Sequence, residues 1–199
     1  MKLFELQEEE EASLENLLIR DCAKFIKELP ILSDKKQLWR GIQKQKYALK
    51  NKPHPNRRPL DTPIEVHRKL NVYFEQKFGW PARQGLFCTA SKGFAHQYGD
   101  GMVVAVFPIG DYKYVWSPDV SDIYGLYLEM DDFLEPKNIK WEEVKKQLDE
   151  AEWKNSQMIE LFNVSEGLEI SFKCDEFYFL KEKDVKTINW QNVHKAISQ

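Results

Sequence analysis

The sequence predicts an α+β protein, and three patterns carry that expectation. Residues 13–29 and 62–78 repeat apolar side chains at helical spacing, whereas 102–108, 112–116, 169–172 and 177–180 are short runs rich in β-branched and aromatic residues. Turn signals separate those runs, and helices precede them in blocks rather than alternating with them, which favours antiparallel strands over a parallel sheet. With 199 residues and 42% hydrophobic content the chain can bury one sizeable core. The expectation is a single domain over 1–199, with 1–33 as an N-terminal helical extension.

In chain order, Leu14, Leu17, Leu18, Cys22, Phe25, Ile26 and Leu29 form one helical stripe, with Ser13 as N-cap and Pro30 as the stop. Glu8 to Glu11 before it read as a solvated lead-in. The run Leu38-Trp39-Arg40-Gly41 is a short strand interrupted by a cation. Arg40 therefore needs an anion, either a structural carboxylate or a phosphate or ribose of a bound nucleotide. Between Gly41 and Leu60 there are six basic residues (Lys44, Lys46, Lys50, Lys52, Arg57, Arg58), His54 and no acid. Stiffened by Pro53, Pro55 and Pro59, this stretch is either a solvated loop or a phosphate-binding surface.

Thr62-Pro63-Ile64-Glu65 has the form of a capping box with proline at the first helical position. It opens a helix with Val66, Leu70, Phe74 and Phe78 on its apolar face and Gly79 at its end; His67 and Tyr73 read as packing or hydrogen-bonding residues. Next comes Gly85 to Gly99, a strand through Phe87 and Cys88 that stops at Thr89 and Ser91 and turns into a short helix, with Ser91 as N-cap and Gly99 at C′. The two hydroxyls, two residues apart at a strand end, point the same way. They are either a plain strand–cap–helix junction or a device that holds a ligand or a carboxylate at the mouth of a sheet.

MVVAVFP and YKYVW, joined at Gly110-Asp111, predict a hairpin. Residues 118–135 read as loop with short helical pieces, and Trp141, Val144, Leu148 and Trp153 suggest a helix over 138–153. Met158, Ile159 and Phe162 follow in a less regular segment. Glu169–Phe172 and Phe177–Leu180 read as two strands around Cys174-Asp175, and Trp190–Ile197 as a terminal helix.

The formal net charge of −3 gives the whole molecule no electrostatic footprint for nucleic acid or an anionic membrane, so any such contact is local. Three cysteines without CxxC spacing fit reduced core thiols, and no metal site is expected. The first residues turn acidic at once, unlike a signal peptide; the expected location is cytoplasmic, with no membrane contact.

Arg40, the Thr89/Ser91 pair and Glu169 are the polar residues that stand inside strand contexts, and their order resembles the arginine–serine–glutamate arrangement of ADP-ribosyltransferases built on the bacterial-toxin fold. Leu38-Trp39-Arg40-Gly41 is particularly similar to the first motif of the phage transferases that modify host proteins. Phe87-Cys88-Thr89-Ala90-Ser91 resembles their aromatic-x-Ser/Thr-x-Ser strand, and Glu169-Ile170-Ser171-Phe172 the strand that begins with their catalytic glutamate.

The resemblance implies a split antiparallel β-sandwich with surrounding helices, NAD+ as co-substrate in its cleft, and no metal. It implies that Arg40 binds a cofactor phosphate or ribose, that Gly41 lets the backbone approach the nicotinamide amide, and that Thr89 and Ser91 position the ribose and orient Glu169. Glu169 is then the catalytic residue, with Arg40 and Ser91 assisting, and transfer of ADP-ribose to a macromolecule is the implied reaction. Arginine-modifying members carry a second glutamate two residues before the catalytic one; here that position is Gly167, with Glu166 one place further back, which weighs against an arginine acceptor. A nucleic-acid acceptor is slightly favoured over a protein side chain, with Lys44, Lys46, Lys50, Lys52, Arg57 and Arg58 as its contacts. The wider implications are a toxin or phage–host conflict factor and a cognate inhibitor or antitoxin. The alternatives are a non-catalytic NAD- or nucleic-acid-binding module and an NAD+ glycohydrolase.

Overall fold

The computed structural model describes residues 13–54, 57, 62–99, 101–122, 141–163 and 167–199. Within them the chain is a mixed α+β structure whose antiparallel sheet folds over and closes on itself. The expected stripe of 13–29 is two helices, α1 (Leu14–Asp21) and α2 (Ala23–Glu28), bent at Cys22. The bend keeps the hydrogen-bond ladder, because the Cys22 amide still donates to the Leu18 carbonyl at 2.9 Å and the Ile26 amide to the Cys22 carbonyl at 3.0 Å. Ser13 caps α1 through a bond from the Asn16 amide at 3.2 Å.

Next come β1 (Trp39–Ile42), a short 3₁₀ turn at Lys44–Lys46, β2 (Lys50–Asn51) and α3 (Ile64–Phe78). The N-cap of α3 is Pro63 without a side-chain bond, and Thr62, expected to cap, is buried instead. A 3₁₀ turn at Ala82–Gln84 leads into β3 (Leu86–Thr89) and α4 (Lys92–His96). β4 runs from Met102 to Trp116, α5 from Trp141 to Glu150, and β5 from Glu169 to Lys181. The chain ends with α6 (Glu182–Val185) and α7 (Trp190–Ser198). The helical pieces expected between 123 and 135 lie outside the described residues. No helix among the described residues is long and apolar enough to cross a membrane.

Two expected breaks in the strands are absent, each for a physical reason. The hairpin at Gly110-Asp111 does not form: β4 continues through it, since β5 lies alongside both halves. The pairs Ile109–Glu176 and Tyr112–Cys174 place three steps of β4 against two of β5, so the extra residue is absorbed as a bulge, with Gly110 at φ 65°. Likewise Cys174-Asp175 is no turn; Lys173 and Asp175 are the outward positions of one strand in which Phe172 and Cys174 point inward.

β4 and β5 form a long antiparallel ribbon, and β1, β2 and β3 complete the sheet around it. β1 pairs with the start of β4, β3 with the start of β5 and β2 with its later half. The ring is closed where β1 meets β3, at Trp39 opposite Thr89. The main core holds Phe107, Tyr114 and Phe172 from the ribbon together with Leu18, Phe25 and Ile26 from α1 and α2 and Val193 from α7. Phe25 meets the rings of Phe107, Tyr112 and Phe172 edge-on. Val115, facing away from its neighbours Tyr114 and Trp116, joins Leu70 and Phe74 of α3 and Val144 and Leu148 of α5 in a second apolar cluster.

Candidate functional site

The closure of the sheet brings the ends of β1, β3 and β5 together, and a cleft of about 140 Å3 opens there, lined among others by Arg40, Gly41, Arg57, Arg83, Thr89 and Glu169. Residues from widely separated segments thus meet in one place. Glu169, first residue of β5, lies directly opposite Thr89. Its amide donates to the Ser121 carbonyl at 3.2 Å, fixing the strand entry.

Arg40 reaches from β1 to β3, where Nη1 donates to the Phe87 carbonyl at 2.6 Å. Burial pulls its guanidinium pKa down, with the neighbouring acidic groups Cys88 and Glu169 acting the other way. Arg57 lies over the Phe87 ring, 4.1 Å from its centroid, and donates through Nη1 to the Arg83 carbonyl at 3.2 Å. Burial, then the like charges of Arg83 and Arg40, lower its pKa to about 10. Arg83 also lies over Phe87, at 4.4 Å, and its Nη1 donates to Glu169 Oε1 at 2.5 Å. Burial raises the pKa of Glu169, and Arg83 is the strongest influence holding it down.

Across the cleft, the Tyr98 hydroxyl donates to Asp122 Oδ2 at 3.0 Å. Burial raises the Tyr98 pKa, with the Asp122 carboxylate adding to it. Cys88 also lines the cleft, but burial pushes its thiol far above its usual range, so it offers no thiolate at neutral pH. Three guanidiniums therefore face two carboxylates, Glu169 and Asp122, in a chain whose net charge is −3. Such a cleft suits an anionic ligand, and paired phosphates in particular.

Of the residues singled out in the sequence, Arg40, Gly41, Arg57, Thr89 and Glu169 line this cleft. Ser91 caps α4, accepting from the Phe94 amide at 3.2 Å, while its own amide donates to Thr89 Oγ1 at 3.1 Å. Neither hydroxyl holds Glu169; Arg83 does. Gly41 is explained by packing: a Cβ there would stand 2.2 Å from the Ala95 carbonyl oxygen and 2.7 Å from the Gly99 amide, so β1 and α4 approach backbone to backbone. Gly167 is likewise filled from outside, since a Cβ would lie 2.3 Å from the Phe94 ring.

The lysines lie elsewhere. Lys44 and Lys46 are exposed on their 3₁₀ turn. Lys50 and Lys52 pair with Glu176 at 2.6 and 3.7 Å, seven residues along β5 from Glu169 and hence roughly 23 Å of strand away. Arg58 and Glu166 lie outside the described residues. Arg83, Tyr98 and Asp122 are cleft residues that the sequence reading passed over. The signal for Arg83 was a cation set between Trp80, Ala82 and Leu86, all of them buried.

Comparison with known protein families, curated proteins and solved structures gives no match.

Proposed function

We propose that the protein is an NAD+-dependent mono-ADP-ribosyltransferase acting on a macromolecule, with its closed antiparallel sheet read as the split sandwich of that family. The observation that carries the reading is the meeting of Arg40, Thr89 and Glu169 at one cleft, three of the four residues of the ordered motif set, the fourth, Ser91, capping α4 beside them. The excess of guanidinium charge fits the diphosphate of a dinucleotide, which would extend past the enclosed volume along the open mouth.

In the reaction the ribose–nicotinamide bond breaks and its electron pair leaves with neutral nicotinamide. The acceptor's lone pair forms the new bond to the ribose carbon, and its proton passes to solvent. Positive charge develops on the ribose before the new bond is complete. A carboxylate fixed beside it stabilises that state more than the ground state, and this is the role assigned to Glu169. Arg40 and Arg57 bind phosphate oxygens, and Thr89 positions the ribose.

Phe94 standing against Gly167 leaves no room there for the acidic side chain of arginine-modifying relatives. Nucleic acid is therefore proposed ahead of a protein acceptor, with its contacts drawn from the exposed Lys44 and Lys46, which follow the Arg40 strand, and from Arg57 in the cleft itself. A phage–host conflict role with a cognate inhibitor belongs to the same proposal.

A binding module without turnover is the second reading, favoured by the ion pair that already engages Glu169. Chromatographic measurement of nicotinamide released from NAD+, with and without cell lysate, separates the two. Wild type releases nicotinamide, and Glu169→Gln, nearly isosteric but uncharged, loses about 10²–10³-fold in turnover while still binding NAD+. Wild-type turnover in Glu169→Gln overturns the assignment. Labelled product that survives protease but not nuclease identifies the acceptor as nucleic acid, and the converse identifies a protein.

A further inference from the structure

Arg83 is the most deeply buried cation of the cleft, only 6% exposed, and it enters from outside the motif strands. Its turn is closed by the Gln84 amide donating to the Pro81 carbonyl at 2.9 Å and the Gly85 amide to the Ala82 carbonyl at 3.0 Å. The same turn is tied to β5, because Ser171 Oγ donates to the Ala82 carbonyl at 2.6 Å. Ser171 stands two residues after Glu169, so one strand anchors both the backbone that carries the guanidinium and the carboxylate it meets. Arg83 Nε is buried with no hydrogen-bond partner among the described residues, and the bond to Glu169 Oε1 is the side chain's one ion pair there. A buried arginine committed in this way gains from Glu169 only while the carboxylate is ionised and held in this rotamer.

We propose that Arg83 is a positioning residue for the transfer reaction, clamping Glu169 Oε1 so that the carboxylate meets the reacting ribose charged and in a fixed orientation. This inference rests on the role given to Glu169 above. The groups facing Glu169 are the cations Arg83, Arg57 and Arg40 and the acidic groups Asp122, Tyr98 and Cys88. Among the cations, Arg83 alone bonds the carboxylate directly, and it opposes the protonation that burial favours.

The test is the pH profile of nicotinamide release from NAD+ between about pH 5 and 9, with kcat and KM separated, for wild type, Arg83→Met, Arg83→Lys and Glu169→Gln. In Arg83→Met the acid limb of kcat moves up by about one pH unit or more. Near neutrality kcat falls by about tenfold or more, part of it regained at the alkaline end, while KM changes less. Arg83→Lys retains the wild-type acid limb with a lower kcat, since the charge stays and the planar fork is lost. Combined with Glu169→Gln, Arg83→Met costs nothing further.

An unshifted acid limb in Arg83→Met, or an equal loss at every pH, overturns the inference. Should Arg83→Met fail to fold, Arg83→Lys decides it: a kcat reduced about tenfold at unchanged KM supports the clamp, and wild-type kcat overturns it. An unshifted Arg83→Met profile beside a dead Glu169→Gln defeats this inference alone. Absence of release from wild type, or full activity of Glu169→Gln, defeats the transferase reading and this inference with it.

Discussion

The three cleft arginines differ in what already holds them, and that difference ranks what each can offer a ligand. Arg83 is committed to Glu169 and Arg57 to the Arg83 carbonyl and the Phe87 ring, whereas among the described residues Arg40 bonds only the Phe87 carbonyl, a neutral acceptor. Arg40 is thus the guanidinium with most to gain from a phosphate. In calorimetric titration with NAD+, Arg40→Ala weakens binding by about tenfold to a hundredfold, the range of one or two lost charge-assisted bonds. Arg40→Lys recovers little of it, because a point charge cannot reproduce the fork. Equal affinities for wild type and Arg40→Ala would mean that the side chain serves β3 alone. Arg40 and Glu169 were legible because a charge inside an apolar run needs a reason. Arg83 was not, since it lies in a turn and its partner stands 86 residues further on, a pairing that only the register of β3 on β5 creates.

At the scale of elements, local signals named the helices and strands but not what the glycines and polar pairs between them were for. Gly99 had the look of a helix C′ residue, yet α4 ends at His96 with Gln97 as its C-cap, and Gly99 serves a close approach, a Cβ there lying 2.6 Å from the Ile42 amide nitrogen. Gly79 was read correctly, with φ 74° at the end of α3. The two signals look alike in sequence; only the packing of α4 on β1 tells them apart. Gly110-Asp111 similarly reads as a turn until a partner strand spans it. The contact between β1 and α4 gives a direct prediction: Gly41→Ala must push α4 off the strand and destabilises the fold by about 1–3 kcal/mol. Thermal denaturation then shows a fall of about 2–4 °C per kcal/mol for a chain of this size. An unchanged midpoint would mean that α4 is docked on β1 less closely than described.

For the molecule as a whole, the two apolar clusters meet across the ribbon, and a histidine buried between α3 and the Ala82–Gln84 turn links the fold to pH. His67 is 2% exposed and contacts Gln84 Nε2 at 3.4 Å. Burial, then the charges of Arg83 and Arg57, lower its pKa from 6.5 to about 4. Between those values the unfolded chain binds the proton and the folded one does not, so His67 removes stability as the pH falls from 6.5 toward 4. Denaturant midpoints recorded across that window decline less steeply for His67→Gln than for wild type; parallel declines would place the acid sensitivity elsewhere. The overall α+β character was legible because helix and strand periodicities are local, whereas the closure of the sheet was not, because it depends on pairings between distant segments. That closure, at Trp39 opposite Thr89, lies beside Arg40 and within the wall of the cleft. The β4–β5 ribbon by itself leaves Arg40, on the strand beside β4, and Glu169, at the start of β5, on separate edges, and the β1–β3 pairing is what brings them together. The cleft and the closed ring are therefore one feature of the chain: the same seam that joins β1 to β3 holds Arg40 within reach of Glu169, and whatever parts those two strands takes the cleft apart without touching the carboxylate.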